Sequence, residues 1–221
     1  MNRTCVATAA ALVALAGGGW AAPAHGAPPS TTTLTLSSPT SAYGQTVTAS
    51  AQVALPGGTP DGDVLFIVDG TPIKANLRGD GTASITLPRA VVGTHSVVAR
   101  FVQFPDQQQG SDSAPATWVV AQARTFVQVR VTGRGAHTPT AVVIGAVGDF
   151  GTRPTGAVSV SVRHLGTGKV TRRQRTLDQA GAATARLGIL RTGRYRLRVT
   201  YAGDAQHLLA RYTEKFTVRQ R

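Results

Sequence analysis

"GRYRLRVTYAGD", residues 193–204, alternates Arg194, Arg196 and Arg198 with Tyr195, Leu197 and Val199. A period of two belongs to an extended strand, whose successive side chains leave opposite faces of a sheet. One face of this segment is therefore apolar and the other cationic. The same alternation recurs along the chain. Thr46, Thr48, Ser50 and Gln52 interleave with Val47, Ala49, Ala51 and Val53, and Val158, Val160 and Val162 interleave with Ser159, Ser161 and Arg163. Clusters of Gly, Pro, Asp and Thr separate the runs, and no long helical pattern competes beyond the N-terminal stretch. Short alternating strands predict an antiparallel sandwich; a parallel sheet needs crossover helices that are not there.

The runs come twice. "TPDGDVLFIVDG" (59–70) echoes "RPTGAVSVSVRH" (153–164), "GDGTASITL" (79–87) echoes "QAGAATARL" (179–187), and "VGTHSVVARF" (92–101) echoes "RTGRYRLRVTY" (191–201). Val64 corresponds to Val158 and Gly93 to Gly193, so the offset grows from 94 to 100 residues. The extra residues fall near "HLGTGKVTRRQRT", which predicts a longer hairpin in the second copy. The fold expected is all-β: two tandem antiparallel β-sandwiches, residues 30–121 and 124–220, after an N-terminal signal peptide at 1–26. The linker "AQAR" (121–124) is short and lacks the Gly/Ser content of a flexible tether.

Each copy resembles the bacterial Ig-like domain 3 type. The first carries the likeness in "TTTLTLSSPTSAYGQTVTASAQV", "GTPDGDVLFIVDGTPI", "DGTASITL" and "VGTHSVVARF"; the second carries it in "RPTGAVSVSV" and "TGRYRLRVTYAGDAQHLLARYTEKFTV". The second copy departs from the pattern in its first two strands. The resemblance implies that both are immunoglobulin-like antiparallel β-sandwiches, and it implies no single activity, because such modules serve as stalks, spacers and adhesive or ligand-binding units.

Residues 1–26 carry the export reading. Arg3 precedes an apolar run from Val6 to Leu15, and small residues at Ala22, Ala24 and Gly26 suit cleavage near His25 or Ala27. The run is shorter than the roughly 20 residues that span a bilayer, and no transmembrane segment is expected after signal removal. Cys5 is the only cysteine, so the exported chain is expected to fold without a disulfide. Localisation is expected to be secreted or extracellular, with non-covalent retention at the cell surface as a variant.

Catalytic and metal signatures are missing from the sequence. His95 falls on the inward parity of Val97 and Phe101, with Tyr195 as its counterpart, and reads as a hydrogen-bonded core ring. His137, His164 and His207 fall in or beside expected loops, with no H-x-x-x-H or Cys–His cluster. Asp61, Asp63, Asp69, Asp80, Asp149 and Asp204 sit at turn-like positions where Asp serves local hydrogen bonding. No G-x-S-x-G elbow is present. Trp118, with Phe216 as counterpart, reads as core. No enzyme, cofactor or metal is expected.

Setting the apolar sets inward leaves two unlike outer faces. In the first copy the face carries Leu65, Ile67, Val98, Val102 and Val119, expected to meet a protein partner or a second copy of the chain. In the second it carries Arg163, Arg196, Arg198, Lys215 and Arg219, the expected polyanion-binding residues. Residues 30–122 hold 4 Lys and Arg against 6 Asp and Glu, whereas 123–221 hold 18 against 4. A module carrying +14 attracts polyanions over about a Debye length, roughly 8–10 Å in ordinary salt. The expected function is that of an exported, non-catalytic binding or adhesion protein whose basic second module associates with anionic cell-wall or extracellular polymer. The alternative is a purely structural spacer with no ligand of its own. Specific nucleic-acid recognition is disfavoured, since export removes the usual target and stacking aromatics are few.

Overall fold

The computed structural model describes residues 30–104 and 110–220. The signal reading at 1–26 lies outside them. Strands of the first half are β1 (Thr31–Leu36), β2 (Thr40–Ala42), β3 (Thr48–Ala54), β4 (Gly62–Val68), β5 (Thr71–Asn76), β6 (Thr82–Thr86), β7 (Gly93–Gln103), β8 (Ser111–Asp112) and β9 (Ala116–Ala121). Those of the second half are β10 (Thr125–Thr132), β11 (Pro139–Gly148), β12 (Gly156–His164), β13 (Val170–Leu177), β14 (Ala182–Ile189), β15 (Gly193–Tyr201) and β16 (Ala210–Val218). The helical content of the described residues is one 3-10 turn, Asp149–Gly151.

Each half is an immunoglobulin-like sandwich. The first packs sheet β1-β3-β6 against β2-β9-β7-β4-β5, with β8 paired to β7. The second packs β10-β11-β14 against β13-β12-β15-β16. Pairing between strands is antiparallel except for β2 with β9, where Thr40 lies opposite Val119. The second sandwich keeps a trace of that parallel contact in a single bridge, Gly135 with Arg219.

The pleat sorts side chains as the alternation requires. Val64, Phe66, Val97, Ala99, Phe101, Trp118 and Val120 fill one core, and Val158, Val160, Val162, Leu197, Val199, Tyr201, Phe216 and Val218 fill the other. Each fully buried Val, Leu or Phe contributes about 1.5–3 kcal/mol, so apolar packing holds both interiors with no cysteine in either. Trp118 also donates from its indole nitrogen to Ser41 Oγ at 2.9 Å, which satisfies its one polar atom inside the core.

The hairpins differ as the offset between copies requires. β4 and β5 are joined through Asp69 and Gly70, with φ of 48° and 85°. Two consecutive positive φ values make the turn whose twist suits a two-residue hairpin, and Asp-Gly tolerates it. β12 and β13 are longer strands joined by residues 165–169. Asp63, expected in a turn, is instead the second residue of β4; it is buried and meets Lys74 at 2.6 Å. The Gly62 φ of 153° starts the strand where a Cβ has no room against the Val102 carbonyl.

The two sandwiches touch through the connection between β15 and β16. Ala123 N–H donates to the Gln206 carbonyl and Leu208 N–H donates to the Ala123 carbonyl, at 2.9 and 2.8 Å. Gln122 Nε2 donates to the Asp204 carbonyl at 2.8 Å, and Val92 N–H of the first sandwich donates to Gln206 Oε1 at 2.7 Å. Tyr43 places its ring edge-on to His207, 5.6 Å between centroids. Gly44 leaves room there: a Cβ at this position would run into the Thr152 methyl.

Candidate anion-binding face

The register of the second sandwich decides which side chains share its outer face. Directly opposed residues in antiparallel strands lie on the same side of the sheet. Arg163 opposes Arg196, and Arg196 opposes Lys215, so three cations stand in one row across β12, β15 and β16. The next row runs Arg172, Ser161, Arg198 and Thr213. Arg194 opposes Thr217, and Arg211 opposes Thr200. All these cations are exposed. Strand spacing of about 4.8 Å and roughly 6.7 Å between alternate residues put them on a tight grid.

Nothing on the face neutralises them. Ion pairs among the described residues join Lys74 to Asp63, His95 to Asp69, Arg100 to Asp112, Arg134 to Glu214 and His207 to Asp204. None involves Arg163, Arg172, Arg194, Arg196, Arg198, Arg211 or Lys215. Like charges directly opposed across strands destabilise a sheet. The face therefore carries a folding cost. Between Arg172 and Arg198 lies a shallow cleft of about 320 Å³, where Ser159, Ser161, Thr200 and Gln174 add neutral donors.

Of the residues expected from sequence, Arg163, Arg196, Arg198 and Lys215 come together on this face. Arg219 lies just past β16, where its N–H donates to the Arg134 carbonyl, and it extends the face at one end. Arg172, Arg194 and Arg211 were not among the expected residues. Arg194 shares the parity of Arg196 and was readable; Arg172 needed the register of β13 on β12. Arg173 and Arg175 of the same strand point to the inward side and remain exposed. Each donates from Nε to a carbonyl of the edge strand β14, Arg173 to Arg186 and Arg175 to Thr184, at 3.3 and 3.2 Å. They close the seam between the two sheets.

The matching face of the first sandwich is compensated. Leu65 stands in a row between Lys74 and Arg100. Lys74 pairs with Asp63, and Arg100 makes two 2.8 Å bonds to Asp112. Arg100 holds the Asp112 carboxyl below its ordinary range, outweighing the opposing effect of burial. Leu65, Ile67, Val98 and Val102 are half-buried, and Val119 is exposed. The surface is thus less open than alternation alone implies, with Val119 alone of the five exposed.

Two histidines are buried, and one of them was not anticipated. His95 meets Asp69 Oδ2 at 2.6 Å and the Val91 carbonyl at 2.9 Å, beside Trp118, as a core ring should. His207, expected in a loop, is 2% exposed. Its Nδ1 is 2.9 Å from Asp204 Oδ1 and its Nε2 is 2.9 Å from Thr152 Oγ1. An acid, an imidazole and a hydroxyl in line resemble a nucleophilic relay. Here the Thr152 hydroxyl donates to the Asp149 carbonyl and is itself buried, so the arrangement fastens two loops. Gly148 is required beside it, since a Cβ there would strike Thr152 and His207. Asp204-x-x-His207 directly after Gly203 was the available signal. Among the described residues no group of three or more His, Cys, Asp or Glu could hold a metal ion.

The fold now meets known proteins. Residues 34–121 match the family of bacterial Ig-like domains, group 3. The matched span covers the first sandwich from β1 to the end of β9. Among solved structures, the chain is similar to a tetra-tandem repeat in the extending region of a large adhesion protein (17% identity, TM-score 0.47, covering 86% of this chain and 50% of that one). It is also similar to the adhesin InvE of Yersinia pseudotuberculosis (17%, TM-score 0.42, covering 84% and 58%). A third is the fibronectin(III)-like modules of Clostridium thermocellum CbhA (19%, TM-score 0.33, covering 85% and 94%). The chain thus spans between half and three-fifths of the length of these two solved chains. No curated protein matches it. No helix among the described residues is long and apolar enough to cross a membrane.

Proposed function

We propose that this is an exported, non-catalytic binding or adhesion protein whose second sandwich holds anionic cell-surface or extracellular polymer on the outer face of β13-β12-β15-β16. The observation that carries the reading is the uncompensated row Arg163–Arg196–Lys215, next to Arg172 and Arg198. A solvated strand face collects arginine in an arginine-rich chain, but the equivalent face of the first sandwich pairs both its cations with carboxylates. The first sandwich contributes Leu65, Ile67, Val98, Val102 and Val119 as a surface for a protein partner or a second copy.

Retention of the mature protein on an immobilised polyphosphate or acidic polysaccharide tests the proposal. Retention should fall steeply with added salt, because screening shortens the reach of the face from about 8 Å at physiological salt to about 3 Å at 1 M. Joint replacement of Arg163, Arg196 and Arg198 by Gln should abolish it. Retention that ignores salt, or survives that replacement, refutes it.

A second reading is favoured by the joint. The bonds from Ala123, Gln122 and Val92 to the β15–β16 connection set one sandwich against the other, as a spacer needs. The spacer reading expects a protein that binds neither envelope nor polyanion, and the same column separates the two.

A further inference from the structure

We infer that the second sandwich has a separate binding site for an anionic amphiphile, an apolar chain headed by a carboxylate or phosphate, in a cavity between the β12–β13 hairpin and the β14–β15 connection. The cavity is about 450 Å³, within the range of small-ligand sites, roughly 300–1,000 Å³. Its floor is apolar: Val162, Leu187, Leu190 and the ring of Tyr195, all buried core residues. Ile189 at its edge, opposite Pro139 on β11, is 64% exposed. The rim carries Lys169, Arg173 and Arg191, and no acidic residue lines the cavity.

The cavity is a product of the longer hairpin. In the first sandwich the Asp69–Gly70 turn ends the hairpin, and the Asp69 carboxylate closes over His95. In the second, β12 runs on to His164, which lies opposite Tyr195. Residues 165–169 then build a wall that the first copy lacks. That wall is braced from within. The Thr167 N–H donates to His164 Nδ1 at 3.0 Å, and His164 stands edge-on to Tyr195, 4.8 Å between centroids. Tyr195 in turn donates to the Arg191 carbonyl at 2.8 Å and stacks on Phe216. The seam between β13 and β14 is shut by Arg173 and Arg175 and opens only beyond Arg173, at this mouth.

Among the described residues, Lys169 and Arg191 have no ion-pair partner, and their charges face an apolar floor. A polymer of alternating charge and hydroxyl groups suits the flat arginine face; an amphiphile suits this one. The apolar chain covers Ile189 and the floor, and the head group meets Lys169 and Arg191.

Calorimetry on the mature protein with decyl phosphate, decanoate, neutral decyl maltoside and inorganic phosphate tests the inference. Both decyl anions should bind one per chain, and the maltoside and inorganic phosphate should bind at least about tenfold more weakly, since one buried Ile or one screened charge each supplies that factor. Ile189→Asp and the pair Lys169→Glu, Arg191→Glu should each remove anion binding. All three side chains are exposed, so the variants are expected to fold, and their melting temperatures check it. The Arg163, Arg196 and Arg198 triple variant should keep amphiphile binding while losing polymer retention, which separates this site from the proposed polymer face. Vesicles containing anionic lipid separate a free amphiphile from a membrane-held one: unaltered calorimetry with no vesicle retention points to the free form, and retention lost in Ile189→Asp points to the membrane-held form. Equal binding of the maltoside, unaltered binding by the variants, or no binding of either decyl anion overturns the inference.

Discussion

His95 and Tyr195 each hold the carbonyl four residues behind them, Val91 at 2.9 Å and Arg191 at 2.8 Å, in equivalent corners of the two sandwiches. Each lies opposite the large ring of the last strand, Trp118 for His95 and Phe216 for Tyr195. A tyrosine bonding backward at this corner is a recurrent brace of immunoglobulin-like sandwiches. The first sandwich makes the same brace with an imidazole, and an imidazole titrates.

The first sandwich should therefore be pH-sensitive in a way the second is not. Burial disfavours the charged His95 ring, but the Asp69 carboxylate and the Val91 carbonyl together outweigh it and raise its pKa. A raised folded value stabilises the fold fully below the unfolded value of 6.5, and that stability is lost as pH rises through the folded value. Asp69 runs the other way: His95 first, then the Ser96 N–H, lower its pKa, so its contribution is present above 3.8 and lost as pH falls through the folded value. The melting temperature of the first sandwich, read from Trp118 fluorescence, should peak between those limits and fall on the alkaline side. His95→Phe should lower and flatten the profile. An unchanged alkaline slope in that variant refutes the assignment.

Arg196 is the centre of the cationic row, and its counterpart in the first copy is Ser96. Arg196→Ser should weaken polyanion retention and raise the melting temperature of the second sandwich at low salt. The gain should be about 0.2–1 kcal/mol for each opposed pair relieved. It should vanish near 1 M salt, where screening already separates the charges. Paired melts at low and high salt measure it; a loss of stability at low salt shows that the row is not repulsive.

Trp118 fills the first core and spends its one donor on Ser41. Trp118→Ala should cost about 3–5 kcal/mol, the range for removing a large buried ring. Ser41→Ala should cost less, about 1–3 kcal/mol, because it leaves the buried indole N–H without a partner. Urea unfolding of each variant checks both, and equal costs point to the hydrogen bond, not the packing, as the larger contribution.

Strand parity was legible because one period of two, repeated, leaves few alternatives: Leu197 and Val199 are buried, and Arg196 and Arg198 are exposed. The longer second hairpin was legible from the offset alone. What the alternation could not give was register. Arg172 belongs to the face because Ser161 lies opposite it, and Arg173 does not because its opposite residue is the buried Val160. Asp204 and His207 lie in a loop, as expected, but the neighbouring sandwich covers that loop and buries His207. Contacts of that kind join residues far apart in sequence, as Val92 joins Gln206, and no local pattern announces them.

Asp204 is the pin of that covered loop. Burial opposes its charge, yet the N–H groups of Thr155 and Gln206, with His207, hold its carboxyl well below the ordinary range. Thr155 and Gln206 each donate at 2.8 Å, and His207 closes the other side. The carbonyl of the same residue receives Gln122, so the loop is tied to the linker at the point where it is tied to itself. Asp204→Asn replaces a charged acceptor by a neutral one and puts an NH2 where the carboxylate accepted from Thr155 or His207. Hydrogen bonds to charged groups contribute about 1.5–3 kcal/mol, so the second sandwich should lose about that much. A depressed folded value also means that this stability is present above 3.8 and lost as pH falls through the folded value, leaving neutral pH unaffected. The linker should loosen with the loop. Trypsin should then cut after the exposed Arg124 faster in the Asp204→Asn protein than in the wild type, with the two fragments still folded. Equal cutting rates at equal extents of unfolding would show that the joint is held by the Val92–Gln206 contact and the Tyr43 ring instead.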